Sequence, residues 1–77
     1  MKKSIIALNA PNNARFYIKR PFWYKYWREG KWRKRIGYHL TSQKNIAHKF
    51  IKRKNIRLIM NDAALRYKMN PTLIQCQ

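Results

Sequence analysis

Aromatic residues recur every three or four positions in the middle of the chain, a spacing typical of one face of an amphipathic helix. The residues that carry the pattern are Phe22, Trp23, Tyr26 and Trp27. Pro21 suits the first turn of such a helix, because its fixed φ is helical and its missing N–H has no partner there. The pattern predicts a helix over residues 21–38, with a kink or break at Gly30.

Two further helices are predicted in the C-terminal half. Thr41 and Ser42 are typical of an N-cap for a second helix, which would run to about Lys54. A third helix is expected from about Arg57 to Met69. The segment that follows can end the third helix and start a short last turn, and it comprises Asn70, Pro71, Thr72, Leu73 and Ile74.

Residues 1–20 contain a weak apolar patch followed by Pro and Asn residues, and we interpret them as an extended basic N-terminal arm. The predicted fold is therefore all-α. Three to four short helices would form one small domain over residues 21–77, with the arm outside it. The apolar positions expected to form its core are Ile36, Phe50, Ile56, Leu58, Leu65 and Leu73.

The net charge of the chain indicates which kind of binding partner it has. The chain of 77 residues has 19 Lys and Arg against 2 Asp and Glu, a formal net charge of +17. The cations are spread from Lys2 to Lys68. A compact chain with this charge repels itself, and a polyanion, most commonly nucleic acid, is the natural counterpart. We expect folding to be coupled to binding of that partner.

Catalysis has little support. Glu29 and Asp62 are far apart in sequence, and His39 and His48 have no cysteine or carboxylate cluster at ligand spacing. We therefore expect no enzymatic activity, no metal, no cofactor and no small-molecule substrate. The lone cysteine, Cys76, favours a reducing compartment. The longest N-terminal apolar run is much shorter than the roughly 20 residues of a membrane-spanning helix.

Basic and aromatic residues alternate through the predicted first helix, and a second basic cluster follows it. Cationic groups neutralise phosphates, and aromatic faces stack on unpaired bases. Either Trp32 or Tyr38 would stack, although Trp23, Trp27 and Trp32 could equally be core residues or anchors for a partner protein. The predicted RNA contacts are Lys19, Arg20, Lys25, Arg28, Lys31, Trp32, Arg33, Lys34, Arg35, Tyr38, Lys49, Lys52, Arg53 and Lys54.

Several short motifs resemble a known family. The segment 32–36, Trp-Arg-Lys-Arg-Ile, resembles the W-x-x-R-I of the bacterial-type large-subunit ribosomal protein twenty family. Lys49-Phe50-Ile51 is similar to its K-F-I, and the segment 54–58 is similar to its K-x-N-I-x-L. Ala64 and Asn70-Pro71 fall where the family has an alanine and an Asp-Pro. The chain lacks about one helical turn between the second and third motifs, and its N-terminal part is shorter than the family's.

The resemblance implies a helical domain on large-subunit ribosomal RNA, with an extended N-terminal part between RNA helices. We expect a structural protein of the mitochondrial ribosome in the matrix, or of the plastid ribosome, which contacts ribosomal RNA and neighbouring ribosomal proteins and supports subunit assembly. Residues 43–46 with residues 52–59 also resemble small-subunit ribosomal protein eighteen. Alternatives of other classes are a basic accessory subunit of an organellar membrane complex and a DNA-packaging protein.

Overall fold

The computed structural model describes residues 2–9 and 11–76, and it shows that the all-α prediction was wrong. Within these residues six strands and one α-helix form, together with a single 3-10 turn at Lys44–Ile46. The strands and the helix are β1 (Ser4–Leu8), β2 (Arg15–Tyr17), β3 (Phe22–Arg28), β4 (Lys31–Gly37), β5 (Leu40–Thr41), α1 (Arg53–Leu65) and β6 (Pro71–Gln75).

Four strands form one antiparallel sheet in the order β5-β2-β1-β6. Every residue of β1 is buried, because β1 lies between β2 and β6 and is covered on both faces. The extended arm expected over residues 1–20 is therefore not what the structure has. The described residues of that range instead supply the two central strands of the sheet, and the chain does not divide at residue 20.

The two faces of the sheet carry separate apolar clusters, because successive side chains of a strand point to opposite sides. On one face Ile6, Leu8 and Tyr17 pack with residues of α1 and with Phe50. The other face has a smaller cluster of Ile5, Ala7, Phe16 and Ala47. Of the predicted core, Ile36, Phe50 and Ile56 are confirmed as buried, whereas Leu58, Leu65 and Leu73 are exposed.

The predicted C-terminal helices are corrected in three places. The second helix is wrong, because Thr41 pairs with Phe16 in the sheet and only the 3-10 turn follows it. A third helix exists, but it begins at Arg53 and ends at Leu65, earlier than expected. Beyond it, β6 replaces the predicted last turn and pairs along the whole of β1.

The helix predicted over residues 21–38 is also wrong, because β3 and β4 form an antiparallel hairpin there. The turn residues Glu29 and Gly30 have φ of 52° and 74°. Positive φ at both positions of a two-residue connection defines a type I′ turn, whose twist matches that of the flanking strands. Aromatic residues are tolerated in helices and favoured in strands. Their spacing of three or four positions therefore did not exclude a hairpin.

The hairpin is inserted between two strands that are neighbours in the sheet. β2 and β5 pair with each other, and the Ile18 N–H donates to the His39 carbonyl at 2.8 Å, which extends their ladder towards the hairpin. At the base of the hairpin the Tyr67 hydroxyl donates to the Ile36 carbonyl at 2.6 Å. The base is thus attached to the folded body, while most of β3 and β4 is exposed.

Candidate nucleic-acid interface

One face of the hairpin carries a row of aromatic rings beside a row of cations. Directly opposite residues of an antiparallel pair share a face, and Tyr24 lies opposite Arg35 and Tyr26 opposite Arg33. We call this surface the tyrosine face. Its members are Phe22, Tyr24, Tyr26, Arg28, Lys31, Arg33 and Arg35. All three aromatic residues of this face come from β3, and three of its four cations come from β4.

The aromatic row is evenly spaced. The ring centroids of Phe22 and Tyr24 are 6.1 Å apart, and those of Tyr24 and Tyr26 are also 6.1 Å apart. The Arg35 guanidinium lies 5.9 Å from the Tyr26 ring centroid and 5.0 Å from that of Tyr67. Gly37 leaves room for the Phe22 ring, since a Cβ at this position would lie 2.8 Å from two of its carbon atoms. The row is held along the strand with its rings partly exposed.

The opposite face of the hairpin carries the tryptophans. We call it the tryptophan face, and it comprises Trp23, Lys25, Trp27, Trp32, Lys34 and Ile36. Trp27 and Trp32 are directly opposed beside the turn, with ring centroids 5.3 Å apart in an edge-to-face contact. Their side chains are 59 % and 68 % exposed, so the interpretation of these two tryptophans as core residues is wrong.

The hairpin is almost without compensating negative charge. Its sole carboxylate in the sequence is Glu29, in the turn, where its Oε1 atom lies 3.9 Å from Arg28 Nε between two exposed side chains. An exposed pair of this kind contributes little, and it leaves the other cations of both faces open to a polyanion. The hairpin cations predicted as RNA contacts are therefore all presented on one protruding element.

A pocket of about 400 Å³ lies where the tryptophan face meets the body. Buried Ile36, Phe50 and Ile59 line its inner part, and Trp23 lines its hairpin side. Three predicted contacts, Arg20, Lys49 and Lys52, also line it although they are distant in sequence. We call it the base pocket.

His48 is a further lining residue of the base pocket. Burial lowers its pKa, and the nearby positive charge of Arg20 lowers it further. The imidazole therefore favours its neutral form, in which one ring nitrogen donates a hydrogen bond and the other accepts one.

The remaining predicted contacts lie outside the two hairpin faces and the base pocket. The Lys19 ammonium lies 5.6 Å from the Phe22 ring centroid, next to the tyrosine face. Arg53 and Lys54 are exposed in the first turn of α1, and Lys54 lines a separate shallow groove with Arg57 and Leu58.

Tyr38 is not free to stack on a base, contrary to expectation. Its ring packs against Tyr17 and Tyr67, and its hydroxyl donates to Asp62 Oδ2 at 2.5 Å. Its environment is that of a core residue at the edge of the larger apolar cluster.

Sequence reasoning missed the central part of the site. Tyr24 and Tyr26 were not predicted to contact RNA, and Phe22 was counted only towards a helix. Their spacing of two, with cations in the matching positions of 31–35, was the available signal, because it is the period of a strand. The Glu29-Gly30 pair between the two runs was compatible with a two-residue hairpin loop.

The described residues contain no group of three or more His, Cys, Asp or Glu side chains placed to hold a metal ion. In residues 2–9 and 11–76, no helix has the length and apolar character needed to cross a membrane. The chain matches no family model, no curated protein and no solved structure.

Proposed function

We propose that the protein binds RNA through the tyrosine face of its hairpin, as a non-enzymatic structural component of a ribonucleoprotein particle. The observation that carries the proposal is the parallel arrangement of the ring row, Phe22, Tyr24 and Tyr26, and the cation row, Arg33 and Arg35, on one exposed face. Unpaired bases stack on aromatic side chains, while the backbone phosphates that accompany them require cations. An exposed strand pair can present both along its length.

Unpaired RNA is the substrate that fits this surface best. Stacking on a side chain needs a base whose face is free, and loops, bulges and ends of RNA supply such bases. Continuous duplex would offer only its phosphates to the cation row. Stacking contributes about 1–3 kcal/mol per base, and phosphate contacts add affinity that falls with salt.

The particle that we propose is the ribosome, with the large subunit of an organellar ribosome preferred and the small subunit as the alternative. The net charge of +17 and the motif resemblance of residues 32–36 support this choice. Those residues form part of β4, not of a helix, so the helical fold that the resemblance implied is corrected. The RNA-binding proposal consequently rests on the hairpin and does not depend on the family.

The binding test uses an unstructured uridine oligonucleotide and fluorescence anisotropy over a range of salt concentrations. Four cations lie on the tyrosine face, Arg28, Lys31, Arg33 and Arg35. If each contacts one phosphate of a single strand, log K falls with log salt at a slope of about −3. Tyr24→Ala with Tyr26→Ala should weaken binding by about tenfold or more at every salt concentration, because two stacking rings are lost.

Charge variants on and off the hairpin distinguish the contribution of the cation row from that of the net charge. Arg33→Gln with Arg35→Gln should make the salt slope less steep by about 1.4. Lys44→Gln with Lys68→Gln removes the same charge from exposed positions outside the hairpin and should leave the slope nearly unchanged. Equal effects of the two double variants would mean that net charge alone drives binding, and the proposal would be wrong.

The particle is tested by sedimentation of tagged protein from an organelle lysate through a sucrose gradient in high salt. Co-migration with the large subunit would support the preferred assignment. Co-migration with the small subunit would replace it with the alternative. Recovery at the top of the gradient, by protein that binds the oligonucleotide, would contradict the ribosomal assignment while leaving RNA binding intact.

A second candidate is binding to an anionic membrane surface, for which the hairpin tip is the specific observation. Trp27 and Trp32 are exposed there beside Arg28 and Lys31, and tryptophan with cations is typical of side chains that lie at a lipid headgroup layer. Vesicles with and without anionic lipid distinguish the two functions. Binding to anionic vesicles that is lost in Trp27→Ala with Trp32→Ala, together with weak oligonucleotide binding, would favour the membrane.

A further inference from the structure

We infer that the base pocket holds one unpaired nucleotide, with the base against Trp23 and the phosphate at the cationic rim. The inference rests on the proposed function, since it assigns a second point of contact to the same RNA. From the tryptophan face the base pocket takes Trp23 and Ile36, and Phe22 is the one residue that it shares with the tyrosine face. It is therefore a second contact point, separate from Tyr24, Tyr26 and the cation row.

Size and lining of the pocket suit an aromatic ligand. Its volume of about 400 Å³ falls within the range of about 300–1,000 Å³ usual for small-ligand sites. The buried side chains of Ile36, Phe50 and Ile59 form an apolar inner surface. Trp23 is 59 % exposed and also lines the pocket, so indole surface remains available for stacking. A planar base can exchange water on both its faces for these groups.

The cations that line the base pocket favour an anionic ligand group at its outer part. Arg20, Lys49 and Lys52 line the pocket, and no carboxylate is among its lining residues. The first turn of α1 contains no acidic residue, and the cap residue Lys52 makes no side-chain cap hydrogen bond. The helix amides at this end add to the attraction for a phosphate that the three cations already provide.

Two uncharged polar groups could read the edge of a base. The Asn55 amide has both donors and an acceptor, and neutral His48 has one of each. Both residues line the base pocket. A free phosphate would use the cations but leave Trp23 and the apolar inner surface without a partner. The combination of ring surface, edge groups and cations therefore favours a nucleotide over a simple anion.

A single-tryptophan protein allows the pocket to be tested directly. The chain has 3 tryptophans, and Trp27→Phe with Trp32→Phe leaves Trp23 as the sole indole reporter. Adenosine 5′-monophosphate is the probe. Adenosine serves as the fragment without the phosphate, and ribose 5-phosphate as the fragment without the base. We expect saturable quenching of Trp23 by adenosine monophosphate. Adenosine should bind at least about fivefold more weakly, and ribose 5-phosphate should neither quench nor compete effectively.

A matched pair of charge variants locates the phosphate. In the single-tryptophan protein, Lys49→Gln should raise the Kd for adenosine monophosphate by about fivefold. Lys68→Gln removes the same charge from an exposed residue that does not line the base pocket, and it should leave the Kd within about twofold. Circular dichroism and urea unfolding verify that each variant folds, and both positions are exposed enough for the substitution to be tolerated.

Each result of the titration either supports or overturns the proposed nucleotide site. Quenching that does not saturate, or that Lys49→Gln and Lys68→Gln affect equally, would overturn it. Competition by ribose 5-phosphate as strong as binding of adenosine monophosphate would show an anion site without base recognition and would overturn it too. Because this titration contains no oligonucleotide, the pocket can fail while binding of RNA to the tyrosine face stands. Conversely, loss of oligonucleotide binding with intact nucleotide binding would contradict only the proposed function.

Discussion

Tyr38 donates a hydrogen bond to Asp62 at the edge of the larger apolar cluster, where its ring also contacts Tyr17. Asp62 Oδ1 also lies 3.3 Å from Arg66 Nε, and its side chain is 9 % exposed. Tyr17, by contrast, has a buried hydroxyl with no hydrogen-bond partner among the described residues. Burial raises the pKa of both tyrosines well above the usual value, so each hydroxyl keeps its proton at physiological pH. Of these two neighbouring tyrosines, Tyr38 has a hydrogen-bonded hydroxyl and Tyr17 has a buried hydroxyl without a partner among the described residues.

The first prediction compares Tyr38→Phe with Tyr17→Phe. Tyr38→Phe should lower the free energy of unfolding by about 1–2 kcal/mol, because a nearly buried carboxylate loses a donor. Tyr17→Phe removes a hydroxyl that makes no hydrogen bond, so it should be neutral or slightly stabilising. Urea unfolding measures both. Equal losses of stability in the two variants would show that the Asp62 hydrogen bond is not the source of the difference.

The second prediction concerns His48 and pH. Its pKa is lowered in the folded protein from the ordinary 6.5, so the unfolded chain binds the proton first on acidification. The free energy of unfolding should therefore fall as the pH decreases below about 6.5. The chain has only 2 acidic side chains, so few carboxylates contribute to its pH dependence.

Unfolding of a matched pair of variants checks the assignment. His48→Gln should flatten the pH dependence of unfolding between about pH 7 and pH 5. His39→Gln, at an exposed position, should retain it. A pH dependence that survives in His48→Gln and disappears in His39→Gln would contradict the assignment.

At the scale of the element, the hairpin depends on its turn. Glu29 adopts a φ of 52°, a conformation that costs a non-glycine residue about 1 kcal/mol, whereas asparagine adopts it more readily. Gly30, at 74°, has the residue type that this position favours. The strands carry exposed aromatic side chains with little buried area, so local stability comes mainly from the turn and the cross-strand pairs.

The third prediction is that Glu29→Asn stabilises the hairpin by about 0.5 kcal/mol. Amide hydrogen exchange of β3 and β4 should slow by about twofold, with little change in the central sheet, because the hairpin is a separate two-stranded unit. Glu29→Gln removes the same charge without the conformational gain and serves as the control. Equal slowing in both variants would assign the effect to charge instead of backbone conformation.

For the whole molecule, the dominant fact is a net charge of +17 on a packed fold of 77 residues. The ion pairs found among the described residues are Arg28–Glu29 and Arg66–Asp62. Most cations therefore face other cations or solvent. Repulsion among them opposes the compact state, and salt screens it. An anionic partner would relieve the same repulsion more effectively than salt.

The fourth prediction follows from that balance. The Tm should rise by about 5 °C or more between about 20 mM and 500 mM NaCl, because screening stabilises the folded state. Oligonucleotide affinity should fall over the same range, since it depends on phosphate contacts. Thermal unfolding followed by circular dichroism measures the first effect. A Tm that is constant or falls with salt would show that charge repulsion does not limit stability.

Some features of the protein could be predicted from local sequence. The excess of cations, the burial of Phe50 and Ile56, and the existence of a helix around residues 57–65 follow from composition and short-range spacing, and the structure shows the burial and the helix. The aromatic run did not decide between structures. Residues 22, 23, 26 and 27 fit a helix, whereas residues 22, 24 and 26 fit a strand.

Contacts between residues distant in sequence determine that the aromatic run forms a strand and not a helix. β2 and β5 pair on either side of residues 19–39, so the intervening chain must leave and return, which a hairpin does and a single helix does not. β1 and β6 meet across nearly the whole chain, as the hydrogen bond of 3.2 Å from Asn70 N–H to Asn9 Oδ1 illustrates. The base pocket likewise unites Arg20 and Trp23 with Lys49 and Lys52. Local propensity contains no term for such pairings, because their free energy arises only when separate segments pack together.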